Sequence, residues 1–177
     1  MQEASKLGCE CYGVDFSEKA LEIARTRTPA LLFCRDVNLG FPDFNDNEFD
    51  YITCIGSLEH FINQELVLKE MVRVSKKDGQ IIIMVPNKDY FLHKIGYETD
   101  FQPIINRYSL ADWKDLLEKN GCRIIKTIRD NYHLSIYESG SWLKLLMKII
   151  AHPFVELLPI KWSFGFIFIC SPDKMQK

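Results

Sequence analysis

The 177-residue sequence predicts an α/β fold built on a mostly parallel sheet. Three observations carry this. Residues 49–87 read as strand, turn, helix, turn, strand. The segments before them repeat the strand-then-helix order. The apolar runs are near-continuous, as in parallel strands covered on both faces.

The central unit sets the frame. Phe49-Asp50-Tyr51-Ile52-Thr53-Cys54-Ile55 is rich in β-branched and aromatic residues, and Gly56-Ser57 breaks it. Residues 66–74 carry apolar side chains at helical spacing, Asp78-Gly79 is the expected stop, and residues 80–85 form a second apolar strand ending at Pro86-Asn87. Ligands of such sheets sit beyond the carboxyl ends of the strands, so Ile55 to Phe61 and Pro86-Asn87 are the stretches to examine.

The remaining elements follow in order. Residues 1–8 resemble the last turn of a helix closed by Gly8. Residues 9–14 form a short strand, and Ser17 caps a helix over 19–27 whose apolar face is Ala20, Leu21, Ile23 and Ala24. Residues 30–34 are the next strand, and 40–47 a polar loop. A long connection, 88–107, contains many aromatics, as a lid or binding element would. Ser109 and Asp112 suit a capping box for a helix ending at Asn120-Gly121, and 122–128 and 162–170 are the last strands. The 132–161 stretch between them is a helical insertion within a single domain. Its apolar segment 142–162, with Trp142, Lys144, Lys148 and Trp162, suits packing on the sheet edge, self-association or a membrane interface.

Bulk composition narrows the function classes. The formal net charge of -2 gives no electrostatic reason to expect nucleic acid. Six cysteines without a C-x-x-C pair fit reduced core residues of a cytoplasmic protein. No apolar run reaches the roughly 20 residues needed to span a bilayer.

Three side chains are candidates for chemistry. Asp15 stands at a strand end before a helix, where nucleotide-binding α/β folds place a carboxylate for ribose hydroxyls; it also suits a polar strand end or cap. Asp36, at the next strand end, suits an adenine amine or a loop acid paired with Arg35. His60 follows Glu59 just past a strand and suits a base or a structural cap.

In Gly13-Val14-Asp15-Phe16-Ser17, Arg35-Asp36-Val37, Phe49-Asp50-Tyr51-Ile52, Ser57-Leu58-Glu59-His60-Phe61 and the run LKEMVRVSKKDGQIIIMVPN, the chain resembles class I S-adenosylmethionine-dependent methyltransferases of the small-molecule, ubiquinone-biosynthesis type. The resemblance covers residues 4–128. It implies a Rossmann-like class I methyltransferase fold, S-adenosylmethionine as cofactor, and a terminal antiparallel strand pair, with 162–170 beside 122–128. It implies that Asp15 binds the ribose hydroxyls, Phe16 lies against adenine, Asp36 and Val37 meet its amino edge, and Ile55 and Gly56 pass under the methionine portion. Some relatives hold a divalent metal with a Glu four residues before the His; Gly56 stands there, so no metal site is expected. The family's first strand and glycine-rich loop are missing, which implies an N-terminally incomplete sequence. The expected function is methyl transfer to a small-molecule or lipid-like acceptor. The alternatives are a non-catalytic methyltransferase-like partner, or degenerate fragment, that binds cofactor weakly, and a nicotinamide-dependent oxidoreductase, which the second acid at Asp36 argues against.

Overall fold

The computed structural model describes residues 1–91, 106–130, 157 and 159–174. The elements run α1 (Gln2–Lys6), β1 (Tyr12–Asp15), α2 (Glu18–Arg25), β2 (Leu31–Cys34), β3 (Phe49–Ile55), α3 (Gln64–Val74), β4 (Ser75–Pro86), α4 (Leu110–Lys119), β5 (Cys122–Asp130) and β6 (Gly165–Pro172). They fall into two compact units, Met1–Asp43 and Phe44–Lys177.

In the first unit β1 and β2 pair in parallel, Tyr12 with Leu31 through Asp15 with Cys34. Ser17 caps α2, its side chain accepting from the Ala20 amide at 3.3 Å, and Leu21 is the helix's buried residue. Gly8 closes the turn after α1 at φ 83°, a conformation that glycine adopts without Cβ strain.

The second unit holds a four-stranded sheet in the order β3-β4-β6-β5. β3 and β4 are parallel, joined by α3 as a βαβ crossover. β6 lies between β4 and β5 and runs antiparallel to both. This is the terminal antiparallel arrangement that the resemblance implied. The core is built from the same strands: Ile81, Ile83 and Val85 of β4 and Phe166, Phe168 and Cys170 of β6 are buried, together with Val67, Leu68 and Met71 of α3 and Trp113 and Leu117 of α4. α4 starts with a complete capping box between Ser109 and Asp112 and ends before Gly121 at φ 82°.

Two expectations need correction. Asp78-Gly79 does not stop α3. The helix ends at Val74, and Ser75, already extended, opens β4. Asp78 and Gly79 lie instead in an irregular stretch, since Phe49 pairs with Ser75 but Tyr51 with Gln80. Gly79 is needed there because a Cβ would meet Ser75 Oγ at 2.7 Å and Asp50 O at 3.1 Å. Second, the apolar run of β3 is not covered on both faces among the described residues. Tyr51 is 68% exposed and Cys54 is its one buried side chain, because β3 is an edge strand of its sheet. The helical insertion expected at 132–161 and most of the connection at 88–107 lie outside the described residues. So does nearly all of the apolar segment 142–162.

Lys174 fastens the end of the described chain. Its Nζ donates to the carbonyls of Arg73 and Ser75 and to Asn47 Oδ1, placing an ammonium at the C-terminus of α3, where the helix dipole favours positive charge. Burial pushes its pKa down, with Asp46 opposing.

Asn87 locks the other end of the sheet. Its side chain is fully buried. Nδ2 donates to Lys161 O at 2.8 Å and Ser163 O at 2.7 Å, and Oδ1 accepts from the Asp89 amide at 2.9 Å. Substituting Asn87 by Ala strands three backbone groups, and we expect a loss of about 3 kcal/mol, from about 1 kcal/mol or more per unsatisfied group. Urea unfolding checks this; a loss below about 1 kcal/mol would show the lock to be dispensable.

The cysteines divide into two classes. Cys54, Cys122 and Cys170 are buried, whereas Cys9 and Cys34 are exposed and Cys11 is half-buried, so not all six are core residues. Burial, with the nearby Glu59 charge second, pushes the Cys54 thiol up to about 12, and burial likewise pushes Cys170 up to about 12. Iodoacetamide at pH 8 should therefore modify Cys9 and Cys34 in the native protein and reach Cys54, Cys122 and Cys170 only after denaturation. Mass spectrometry of the peptides reads this directly, and native labelling of Cys54 would contradict the packing.

Candidate functional site

In the first unit four of the candidate residues lie at the carboxyl end of the β1–β2 pair. Asp15 is the last residue of β1 and half-buried. Its Oδ1 accepts from the Ser17 amide at 2.8 Å, so the carboxylate turns the chain out of the strand and into the α2 cap. Phe16, next to it, is 81% exposed, an apolar ring at the ligand end of the strands. The Arg35 amide donates to Asp15 O at 3.0 Å, which carries the pairing of β1 and β2 one residue past Cys34.

Asp36 is exposed and caps the short 3-10 turn Val37–Leu39. Its Oδ1 accepts from the Asn38 amide at 2.9 Å and from Asn38 Nδ2 at 2.8 Å. The pairing with Arg35, weighed above as an alternative, is not what Arg35 does: its guanidinium makes two bonds of 2.8 and 2.9 Å to Asp43. Asp43 accordingly holds the Arg35 pKa above its ordinary value. Val37 is half-buried in the turn that Asp36 caps.

In the second unit the carboxyl end of β3 carries the remaining candidates. Ile55 ends the strand and is half exposed. Gly56 follows at φ 59°, and its amide donates to Met84 O at 3.0 Å, extending the β3–β4 ladder one step. A Cβ there would meet Glu59 Oε1 only at 3.8 Å, so conformation, not crowding, calls for glycine. Ser57 then leads into the 3-10 turn Leu58–His60. Leu58 is completely buried, which fixes the turn to the core and puts Glu59 and His60 at the strand end.

Glu59 is the residue whose setting the sequence did not disclose. It is only 6% exposed, an unusual place for a carboxylate, and its Oε1 lies 3.8 Å from His60 Nε2. Its backbone carbonyl accepts from the Asn106 amide at 2.8 Å and Asn106 Nδ2 at 3.2 Å. Behind the turn, Gln64 Nε2 donates to Leu58 O at 2.8 Å, and Tyr108 Oη donates to Gln64 Oε1 at 3.2 Å. The signal available in the sequence was an acid set between Leu58 and His60 in S-L-E-H-F; nothing in spacing pointed to Asn106, Gln64 or Tyr108. Pro86-Asn87, singled out as a ligand end, has a structural role instead, since the Asn87 side chain is spent on the lock described above and Pro86 O accepts from Trp113 Nε1 at 2.9 Å.

A groove of about 590 Å³ lies elsewhere, lined by α3 and α4 residues such as Glu65, Lys69, Asp112 and Lys119, and none of the candidate residues lines it. Among the described residues no group of three His, Cys, Asp or Glu side chains could hold a metal ion.

S-adenosylmethionine is the cofactor that the resemblance implies, and within each unit the candidate residues have chemistry that suits a part of it. A half-buried carboxylate and an exposed aromatic ring stand together at one strand end, with a second carboxylate at the next. Gly56 offers open backbone, with nothing closer than 3.8 Å to the place of a Cβ, at another.

Comparison with known proteins bears on the same residues. A methyltransferase domain family matches residues 1–83, which contain all seven candidate residues. An uncharacterized protein of Methanocaldococcus jannaschii is 32% identical over 113 residues, 64% of this chain and 45% of its own length. A demethylmenaquinone methyltransferase of Bacillus licheniformis is 38% identical over 80 residues, 42% of this chain and 33% of that protein. The chain thus spans about half, or less, of the curated relatives it matches. Among solved structures, an S-adenosylmethionine-dependent methyltransferase of Thermotoga maritima, a possible histamine N-methyltransferase, superposes with a TM-score of 0.66 at 21% identity, over 97% of this chain and 76% of that one. The chain matches a methyltransferase domain family over residues 1–83, and its described residues have the Rossmann-like fold of class I S-adenosylmethionine-dependent methyltransferases.

Proposed function

We propose that this chain serves S-adenosylmethionine-dependent methyl transfer to a small-molecule or lipid-like acceptor, in the cytoplasm and without nucleic acid as substrate. The observation that carries the reading is the carboxylate–aromatic pair Asp15-Phe16 at the end of a parallel strand, inside the matched methyltransferase domain. Asp15 would accept hydrogen bonds from the ribose hydroxyls, Phe16 would cover the adenine face, and Asp36 with Val37 would meet its amino edge. Ile55 and Gly56 would present backbone to the methionine portion.

When bound, the cofactor supplies a methyl group on a sulfonium, already activated for transfer. The protein's share is then to hold the acceptor in line, exclude water and, where the acceptor must ionise, remove a proton. His60, at the end of β3 and about one third exposed, suits that last task. A positioned base of this kind contributes roughly a hundredfold or more. The likeness to a demethylmenaquinone methyltransferase supports a small, quinone-like acceptor, and the near-balanced charge supports a small molecule over a polyanion.

The segment 142–162 remains the place where a membrane surface or a second copy would be met. Residues 160–163 belong to the lock around Asn87, so a deletion meant to test this should stop before them. Flotation with liposomes should be lost on removing 142–156; equal flotation of both forms would rule that segment out as an anchor.

Calorimetric titration with S-adenosylmethionine tests the main reading. Binding is expected, and Asp15→Ala should weaken it about tenfold, the equivalent of about 1.4 kcal/mol. His60→Ala should leave binding within twofold and lower turnover more than tenfold, the lower edge of a general-base contribution. Absence of binding would support a non-catalytic methyltransferase-like partner, and methylation of transfer RNA in preference to small acceptors would overturn the acceptor class.

A further inference from the structure

We propose that Glu59 is a positioning residue for His60: a buried carboxylate that orients the imidazole. The inference deepens the methyl-transfer reading and rests on it for the step that His60 serves.

The geometry is specific to this turn. Leu58, wholly buried, anchors the turn, so Glu59 and His60 cannot both swing out to solvent. Glu59 Oε1 stands 3.8 Å from His60 Nε2, with the carboxylate side chain 9% exposed and the imidazole 31%. The pair therefore has a protected acid behind a base that solvent and ligands can reach. Its backbone is clamped from outside the turn by Asn106, which donates to the carbonyls of Glu59 and Phe61, and from beneath by Gln64 on Leu58 O. Three side-chain hydrogen bonds thus hold the turn and the residue that follows it.

The charge around the pair is consistent. Cys54, on β3, stays a neutral thiol, because burial and Glu59 together push it up to about 12. Gly56 leaves Oε1 without a Cβ closer than 3.8 Å, so the carboxylate can follow the imidazole by a small side-chain movement. Burying a carboxylate is costly unless donating groups compensate it, and an imidazole N–H turned toward Oε1 is one group placed to do so. In the step concerned, the acceptor's O–H or N–H bond breaks, its electron pair stays on the acceptor atom, and the proton passes to the imidazole. The resulting imidazolium lies against the carboxylate, as in triads where an acid holds a histidine in place.

Two readouts test this, one of them independent of turnover. The ring nitrogens of His60, His93, His133 and His152 are labelled with ¹⁵N, and the His60 signals are assigned by their loss in His60→Gln. In the chain without cofactor, Glu59→Gln should shift the His60 ring nitrogens and leave the other three histidines in place. Unmoved His60 signals overturn the proposal. Where Glu59→Gln fails to fold, Glu59→Asp, which draws the carboxylate back by one methylene, should shift the His60 ring nitrogens and leave the other three histidines in place, and unmoved His60 signals overturn the proposal.

The second readout is methyl transfer to catechol, a probe with ionisable hydroxyls. Glu59→Gln should lower kcat about tenfold with KM for S-adenosylmethionine unchanged within about twofold, and Glu59→Asp should recover part of the loss. In the His60→Gln background the same change should cost less than about twofold, since residues acting as a unit are not additive. Additive losses would mean a merely structural Glu59. Absence of cofactor binding and transfer in the wild type would instead fail the methyl-transfer reading, and the nitrogen signals would still decide whether Glu59 holds His60.

Discussion

The insertion of β6 between β4 and β5 is the constraint on which the second unit depends. A strand flanked on both sides has all its backbone groups paired, and Phe166, Phe168 and Cys170 can then be buried completely. That burial fixes β4, and β4 fixes β3 through the parallel ladder from Tyr51 to Ile55. The ladder runs on into the Gly56 amide, so the start of the Leu58–His60 turn is set by sheet hydrogen bonds and not by the turn itself. Asn87 completes the arrangement, because its side chain joins the end of β4 to the carbonyls that lead into β6. A site at the end of β3 is thus positioned by strands that contribute none of its side chains.

Much of this was legible in the sequence, for identifiable reasons. β3 was readable to the residue because β-branched and aromatic side chains stop abruptly at Gly56-Ser57. The Ser109–Asp112 box and the Ser17 cap were readable because capping chemistry is local. The end of α3 was not, because Asp78-Gly79 has the composition of a helix stop while tertiary pairing already draws Ser75 into β4. The exposure of β3 was not legible either. A continuous apolar run does not reveal whether both faces are covered.

The candidate carboxylates show what sequence position can and cannot decide. Asp15 was ambiguous between cap and ligand and Asp36 between a loop acid paired with Arg35 and a ligand, and in the structure each serves the backbone, Asp15 through Ser17 and Asp36 through Asn38. These roles are not exclusive. A carboxylate has two oxygens and about four lone-pair directions, and both backbone bonds use Oδ1. A local cap holds the side chain in one rotamer, so an acid ordered this way loses less freedom on meeting a hydroxyl or an amine than a loose one would. On the proposed reading the two roles form a sequence: the cap orders the acid, and an ordered acid would be the better receptor.

Glu59 inverts that logic. Asp15 and Asp36 lie near the surface and are fixed by backbone amides, whereas Glu59 is buried and its neighbour is a titratable ring. A buried carboxylate is expensive to keep charged, and replacing it by an apolar residue of similar size would often stabilise a fold. Its place beside His60 offers a return besides stability. Holding a base in the orientation where a proton must arrive is such a return, and it asks for the combination found here: burial for the acid, partial exposure for the imidazole, and a turn held from outside by Asn106 and Gln64.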